Sequence, residues 1–191
     1  MRAVILNGSR EGEDSLHSAQ QIIVAELTRR RWAVEVFLLR EMEIHHCVGD
    51  FACWVQTPGV CLIDDAARDV ARAVIQSDLT IFLTPITFGG YSSELKKALD
   101  RIICLVSPHF VKLEGEVHHE PRYGRYPHMM AVGLLPQADE ESEGIFRTLV
   151  RRNALNLHVP AHVAGVLLQG EGREAVQEKV TALLAAVESV Q

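Results

Sequence analysis

The sequence predicts an α/β fold: a five-stranded parallel sheet in the order 2-1-3-4-5, covered by helices on both faces as a three-layer sandwich. Three observations carry this. Short, continuous apolar runs recur along the chain, as in strands buried on both faces. Each run is followed by a stretch with apolar residues at helical spacing. The two alternate regularly, which implies parallel strands joined by right-handed crossovers. The chain has 191 residues, a length suited to one sizeable core, and residues 1–191 are read as a single domain.

Strand one is the apolar run at residues 3–6, and it enters the polar loop 7–15. A helix follows to about residue 31, with Leu16, Ala19, Ile23 and Leu27 as its buried stripe. Arg29, Arg30 and Arg31 close it, cations at the negative end of the helix dipole. Strand two is residues 33–38, and residues 39–62 are irregular. The second helix opens on Asp64 and Asp65, with Ala67, Val70, Ala71, Val74 and Ile75 on its apolar face. Strand three, residues 79–83, runs into Thr84-Pro85-Ile86-Thr87-Phe88-Gly89-Gly90. A helix from about 92 to 107 buries Leu95, Ala98, Leu99, Ile102 and Ile103. Residues 108–127 read as a long polar loop rich in His, Arg and Tyr. Strand four (128–135), a helix (140–157), strand five (161–168) and a last helix (173–190) complete the chain.

Composition narrows the function. With 48% hydrophobic and 23% charged residues the chain is globular. A net charge of -6 argues against a nucleic-acid partner, whose phosphates call for a basic face. No apolar run is long enough to cross a bilayer, and the first residues form a strand rather than a signal peptide. No membrane partner and a cytoplasmic location are therefore expected. Four Cys in a chain of this size are few for a disulfide framework.

The strand order 2-1-3-4-5 is flavodoxin-like. It places strands one and three side by side with connections leaving on opposite faces, so a crevice opens at their C-terminal ends. Loops 9–15 and 84–90 frame it. The first precedes a helix, whose free amides and partial positive charge form a natural phosphate seat. Ser9 and Ser15 add hydroxyls and Arg10 a cation. Glu11, Glu13 and Asp14 would repel a phosphate if they faced inward, and a solvated N-cap turn is the other reading. In the second loop Gly89 and Gly90 have no Cβ, so a flat ring could lie against the backbone and bond to the amides at 87–89. Phe88 on its own reads as a core aromatic.

Four stretches resemble a known family: Ile5-Leu6-Asn7-Gly8-Ser9-Arg10; Cys47-Val48-Gly49-Asp50-Phe51-Ala52-Cys53-Trp54; Pro58-Gly59-Val60-Cys61-Leu62-Ile63-Asp64-Asp65; and residues 77–101, within which Leu95-Lys96-Lys97-Ala98-Leu99-Asp100-Arg101 is a close match. The chain is similar to the NAD(P)H-dependent FMN reductases and multimeric flavodoxin-like flavoproteins. The resemblance implies FMN held by Ser9, Arg10, Ser15 and Leu16 at the phosphate. It implies Pro85, Ile86, Thr87, Phe88, Gly89 and Gly90 at the ring. It implies NAD(P)H as co-substrate, a quinone, flavin or other small molecule as electron acceptor, and a homodimer or homotetramer in which a neighbour roofs part of each flavin site. Thr87 stands where the family often has an aromatic residue, and Leu135-Pro136-Gln137-Ala138 lacks the Gly pair that many members place beside the flavin. No catalytic side chain is named, because a flavin does the redox chemistry itself. A non-enzymatic electron carrier and a binding protein that has lost FMN are the competing readings.

Iron–sulfur relatives place four closely spaced Cys before the second helix. Here Cys47, Cys53 and Cys61 remain and Asp50 takes another position, whereas a cluster normally wants four thiolates. The preferred reading makes these Cys small apolar packing residues and assigns no metal. Arg122, Tyr123 and Tyr126 in the 108–127 loop are of types favoured at subunit interfaces. His118 and His119 read as solvated or interfacial.

Overall fold

The structure is a computed structural model that describes residues 1–11 and 14–189. Its main sheet contains β1 (Arg2–Asn7), β2 (Ala33–Leu38), β3 (Leu79–Pro85), β6 (His128–Leu135) and β7 (His162–Leu168). The order is β2-β1-β3-β6-β7 with every pairing parallel, which is the 2-1-3-4-5 topology expected. The helices are α1 (Asp14–Arg29), α2 (Ala52–Val55), α3 (Ala66–Gln76), α4 (Ser93–Arg101), α5 (Glu140–Asn156) and α6 (Arg173–Glu188).

The alternation of side chains along a strand divides the interior into two cores. Ala3 and Ile5 of β1, with Leu79, Ile81 and Leu83 of β3, face α1 and α6. Val4, Leu6 and Phe82 face α3, α4 and α5. Residues 3–6 are completely buried, as a strand covered on both faces must be. Full burial of one such aliphatic side chain is worth about 1.5–3 kcal/mol.

Helix ends follow the local sequence. Asp65 caps α3 by accepting from the Ala67 amide at 3.0 Å, while Asp64 pairs with Arg68 at 2.8 Å. Ser92 caps α4 and Asp139 caps α5. The arginines after α1 do more than complement a dipole. Glu26, nearly buried, pairs with Arg29 at 2.6 Å and Arg30 at 2.8 Å, and Arg30 reaches Glu188 of α6 at 2.5 Å. Arg31 leaves the helix with a left-handed φ of 63°.

The structure departs from expectation in three stretches. The helix after β3 ends at Arg101 and tightens into a 3₁₀ turn, Ile102–Leu105, that buries Ile102, Cys104 and Leu105. Residues 39–62 contain a 3₁₀ turn, Leu39–Glu41, and the single helical turn of α2. The expected polar loop 108–127 is largely a hairpin of β4 (Val106–Leu113) and β5 (Glu116–Pro121), which form an antiparallel sheet of their own. Glu114 and Gly115 turn it with φ of 51° and 81°, the positive pair that a two-residue hairpin loop with right-handed twist requires. A lone hairpin is marginally stable in water, and this one is anchored. Arg122 donates to the Cys104 and Val106 carbonyls, Tyr126 donates to the Leu105 carbonyl at 2.6 Å, and His158 Nε2 donates to the His119 carbonyl. Arg122 and Tyr126 are thus spent within the chain rather than displayed. The end of the last predicted helix, at 190, lies outside the described residues. Among the described residues no helix is long and apolar enough to cross a membrane.

Candidate functional site

The candidate site begins where β1 and β3 end side by side. The Gly8 amide donates to the Leu83 carbonyl at 2.8 Å, and Ser92 Oγ donates to the Gly8 carbonyl at 2.6 Å. A Cβ at Gly8 would lie 2.6 Å from Ser92 Oγ and 2.7 Å from Leu95 Cβ, so only glycine fits between β3 and the start of α4. Asn7 folds the next turn by accepting from the Ser9 amide at 2.7 Å, and its Nδ2 donates to Gln20 of α1 at 2.6 Å. Ser9 is buried, and its hydroxyl accepts from Arg40 Nη1 at 2.8 Å.

Arg40 was not among the residues the sequence singled out. It stands in the turn after β2, and β2 flanks β1, so the topology brings that turn to the same end of the sheet. Ser15 is half-buried in the first turn of α1, and Leu16 is fully buried in the core. Leu16 therefore offers the site a backbone amide, not a side chain. Glu11 is exposed; the expected acidity at Glu13, like Gly12, lies outside the described residues, and only the backbone of Asp14 is described.

The second loop is a tight turn. Pro85 ends β3, and the Ile86 amide donates to the Leu134 carbonyl at 2.8 Å. Thr87 and Gly90 exchange both backbone hydrogen bonds at 2.9 Å, with Phe88 at φ 51° and Gly89 at φ 73° between them. This spends the Thr87 amide inside the turn and leaves those of Phe88 and Gly89 at its tip. Phe88 is 100% exposed, not a core aromatic, because consecutive positive φ values carry its side chain out of the packed layer. Arg10 Nη2 donates to Thr87 Oγ1 at 2.9 Å, so the two loops meet directly.

The match that decides the family covers residues 1–133, which fit the NADPH-dependent FMN reductases. The chain belongs to this family. An iron–sulfur flavoprotein of Methanocaldococcus jannaschii is 25% identical over 101 residues, 53% of this chain and 51% of that protein, so the match spans about half the length of the curated relative. An NAD(P)H:quinone oxidoreductase from Methanothermobacter marburgensis superposes with a TM-score of 0.68 at 13% identity, covering 100% of this chain and 95% of that one. An FMN-dependent NADH-azoreductase from Bacillus anthracis, solved with FMN, gives 0.63 at 12% identity, with coverage of 99% and 98%. The two structural likenesses concern the fold alone.

For an FMN reductase-family site the geometry fits the group. Arg10, Arg40, the Ser9 hydroxyl and the N-terminus of α1 gather donors at one end, and a tight turn whose tip amides are not used within the turn stands at the other. The turn also sets the cost of substitution. A Cβ at Gly89 would approach Ile145 Cγ2 to 2.5 Å, and φ 73° is unfavourable for a β-branched residue. Gly89→Val is expected to weaken FMN binding at least tenfold, by deforming the turn rather than by crowding the ring. Flavin titration measures this, with Gly90→Ala as the milder control, since a Cβ at Gly90 meets nothing closer than 3.5 Å.

The three cysteines of the irregular segment line a separate cavity of about 700 Å³ between α4, α5 and residues 47–54, which touches the ring loop only at Gly90. Cys47 is exposed, and Cys53 and Cys61 are half-buried, with Cys53 packed against the main core. The buried Cys104 thiol is pushed up to about 11 by burial, with the neighbouring Cys53 and Cys61 adding to it. Among the described residues no group of three or more His, Cys, Asp or Glu is placed to hold a metal ion.

Beneath the cavity Arg101, 2% exposed, donates to both carboxylate oxygens of Asp65 at 2.7 and 2.9 Å and to the His45 and Ile63 carbonyls. Burial alone would raise the Asp65 carboxyl. Hydrogen bonds from Arg101 and from the His45 and Ala67 amides outweigh it and hold the group at about 2.

Proposed function

We propose that this chain is an FMN-dependent NAD(P)H oxidoreductase that passes electrons to a quinone, a flavin or another small acceptor, and works as a cytoplasmic homodimer or homotetramer. The observation that carries the reading is the 2.9 Å bond from Arg10 to Thr87, which joins a phosphate-type loop to a ring-type loop across the ends of adjacent strands. FMN held there would supply the redox chemistry, hydride uptake from a nicotinamide and electron release to the acceptor.

The chain's own residues bind and orient. Arg10, Ser9 and Ser15, with the α1 amides up to Leu16, hold the phosphate, and Arg40 fixes the Ser9 hydroxyl. Pro85 and Ile86 set the height of the second loop. Thr87 anchors Arg10, and Phe88, Gly89 and Gly90 present backbone to the ring. The test is the visible spectrum of the purified protein with added FMN, followed by NAD(P)H oxidation with a quinone acceptor. Stoichiometric uptake and acceptor-dependent turnover are expected. A protein that takes up no FMN overturns the reading, and one that binds FMN but is inert to NAD(P)H reduces it to an electron carrier.

A further inference from the structure

The cavity between α4 and α5 has walls suited to a ligand of its own. Phe51 and Trp54 stack at 5.6 Å with an interplanar angle of 16°, His119 packs on the indole at 4.6 Å, and Trp54 Nε1 donates to the Ile103 carbonyl at 3.2 Å, which fixes the indole plane. Leu99 and Leu149 add aliphatic surface. Tyr91 stands at the end next to Gly90, its ring held edge-on by Phe82 and Phe146, each at 6.0 Å. Asn153 Nδ2 donates to the Tyr91 hydroxyl at 3.0 Å, which leaves that hydroxyl's own proton without an acceptor among the described residues. Burial pushes this phenol up to about 12, so it remains a donor at neutral pH.

The cations in the lining are both paired. Lys96 meets Asp100 at 2.5 Å and Arg101 is neutralised by Asp65, while the Asp50 carboxylate accepts only from the Ala52 amide at 3.0 Å and keeps its charge. An anionic ligand would meet no unpaired cation there and would face Asp50. A flat aromatic wall, a fixed donor and a lining with no unpaired cation, in a volume within the ordinary range for small-molecule sites, define one ligand class. We propose that this cavity binds a non-anionic, planar, fused-ring aromatic molecule bearing a carbonyl oxygen, which accepts from Tyr91 and lies against the Phe51–Trp54 pair. Of the residues assigned to FMN only Gly90 lines it, so the site borders the ring loop at one residue and shares none of the phosphate loop.

Xanthone is a suitable probe, because it is planar, uncharged and unreactive toward the thiols that share the cavity. Equilibrium dialysis against the full chain, with and without saturating FMN, is expected to show one saturable site per chain in the micromolar range that FMN does not displace. Xanthene, which lacks the carbonyl, and xanthone-2-carboxylate, which is charged, are each expected to bind about tenfold more weakly. Tyr91→Phe is expected to weaken xanthone about tenfold and abolish its preference over xanthene, with FMN affinity unchanged. Leu99→Trp fills the cavity and is expected to abolish binding. If that variant is misfolded by circular dichroism, Tyr91→Phe and the probe pair carry the test. Absence of saturable binding, one-for-one displacement by FMN, or equal affinity for xanthone and xanthene would each overturn the proposal.

Discussion

Arg101→Met is expected to destabilise the protein by about 3–5 kcal/mol, read as a drop in the urea midpoint at unchanged slope. The guanidinium is fully enclosed, and its loss would strand the Asp65 carboxylate, 3% exposed, together with the His45 and Ile63 carbonyls. An unpaired buried charge is far more costly than the pair it came from is stabilising. The double variant Arg101→Met with Asp65→Asn should therefore recover part of the loss, while the α3 cap is weakened.

The pH dependence has a definite sign. Asp65 titrates at about 2 in the folded chain, below its unfolded value of about 3.9, so its contribution is complete above that value. Stability is lost as the pH falls from about 4 toward about 2, and Arg101→Met should flatten that acid limb. A variant as stable as the parent, or an unaltered acid limb, would remove Arg101 from the centre of the fold.

The second large effect falls on binding. Arg10→Gln is expected to weaken FMN by about tenfold to a hundredfold, the range for a charge-assisted hydrogen bond of ~1.5–3 kcal/mol. Arg10 is exposed, so the folding midpoint should move by less than about 0.5 kcal/mol. Screening makes the difference between parent and variant shrink as salt is raised. Flavin fluorescence titration at two ionic strengths measures both effects. Equal loss of FMN affinity and of folding stability would show that Arg10 acts through the loop's structure instead.

The layers were legible because period and burial agree. Residues 3–6 and 79–83 must be apolar throughout to sit between two helical layers, and they are. The crevice was legible because strand order alone fixes which loops meet. The hairpin at 106–121 was hidden by composition: it packs on one side only, so His, Lys and Glu fill the other and imitate a solvated loop. Glu114-Gly115 between Leu113 and Glu116 was the available signal, since a glycine in a two-residue gap marks a mirror-type turn. Phe88-Gly89 is the same device, and reading it so would have placed Phe88 outside. Arg40 escaped because one arginine in an irregular stretch has no period to betray it. The Arg101–Asp65 pair was unreadable, since a basic residue at a helix end is ordinarily a solvated one.

That buried pair also bears on how the chain can vary. Arg101 grips the backbone at His45 and Ile63 and the side chain of Asp65, so the stretch between them is a loop tied at both feet. Once its feet are fixed, a loop's length matters little, with each doubling adding only about 0.6 kcal/mol. The cysteine-bearing segment can therefore change in length between those feet at little cost, while buried Ala52, Cys53 against the core and Trp54 on the Ile103 carbonyl mark the side chains that must stay. One arginine makes it a segment of adjustable length on a constant frame.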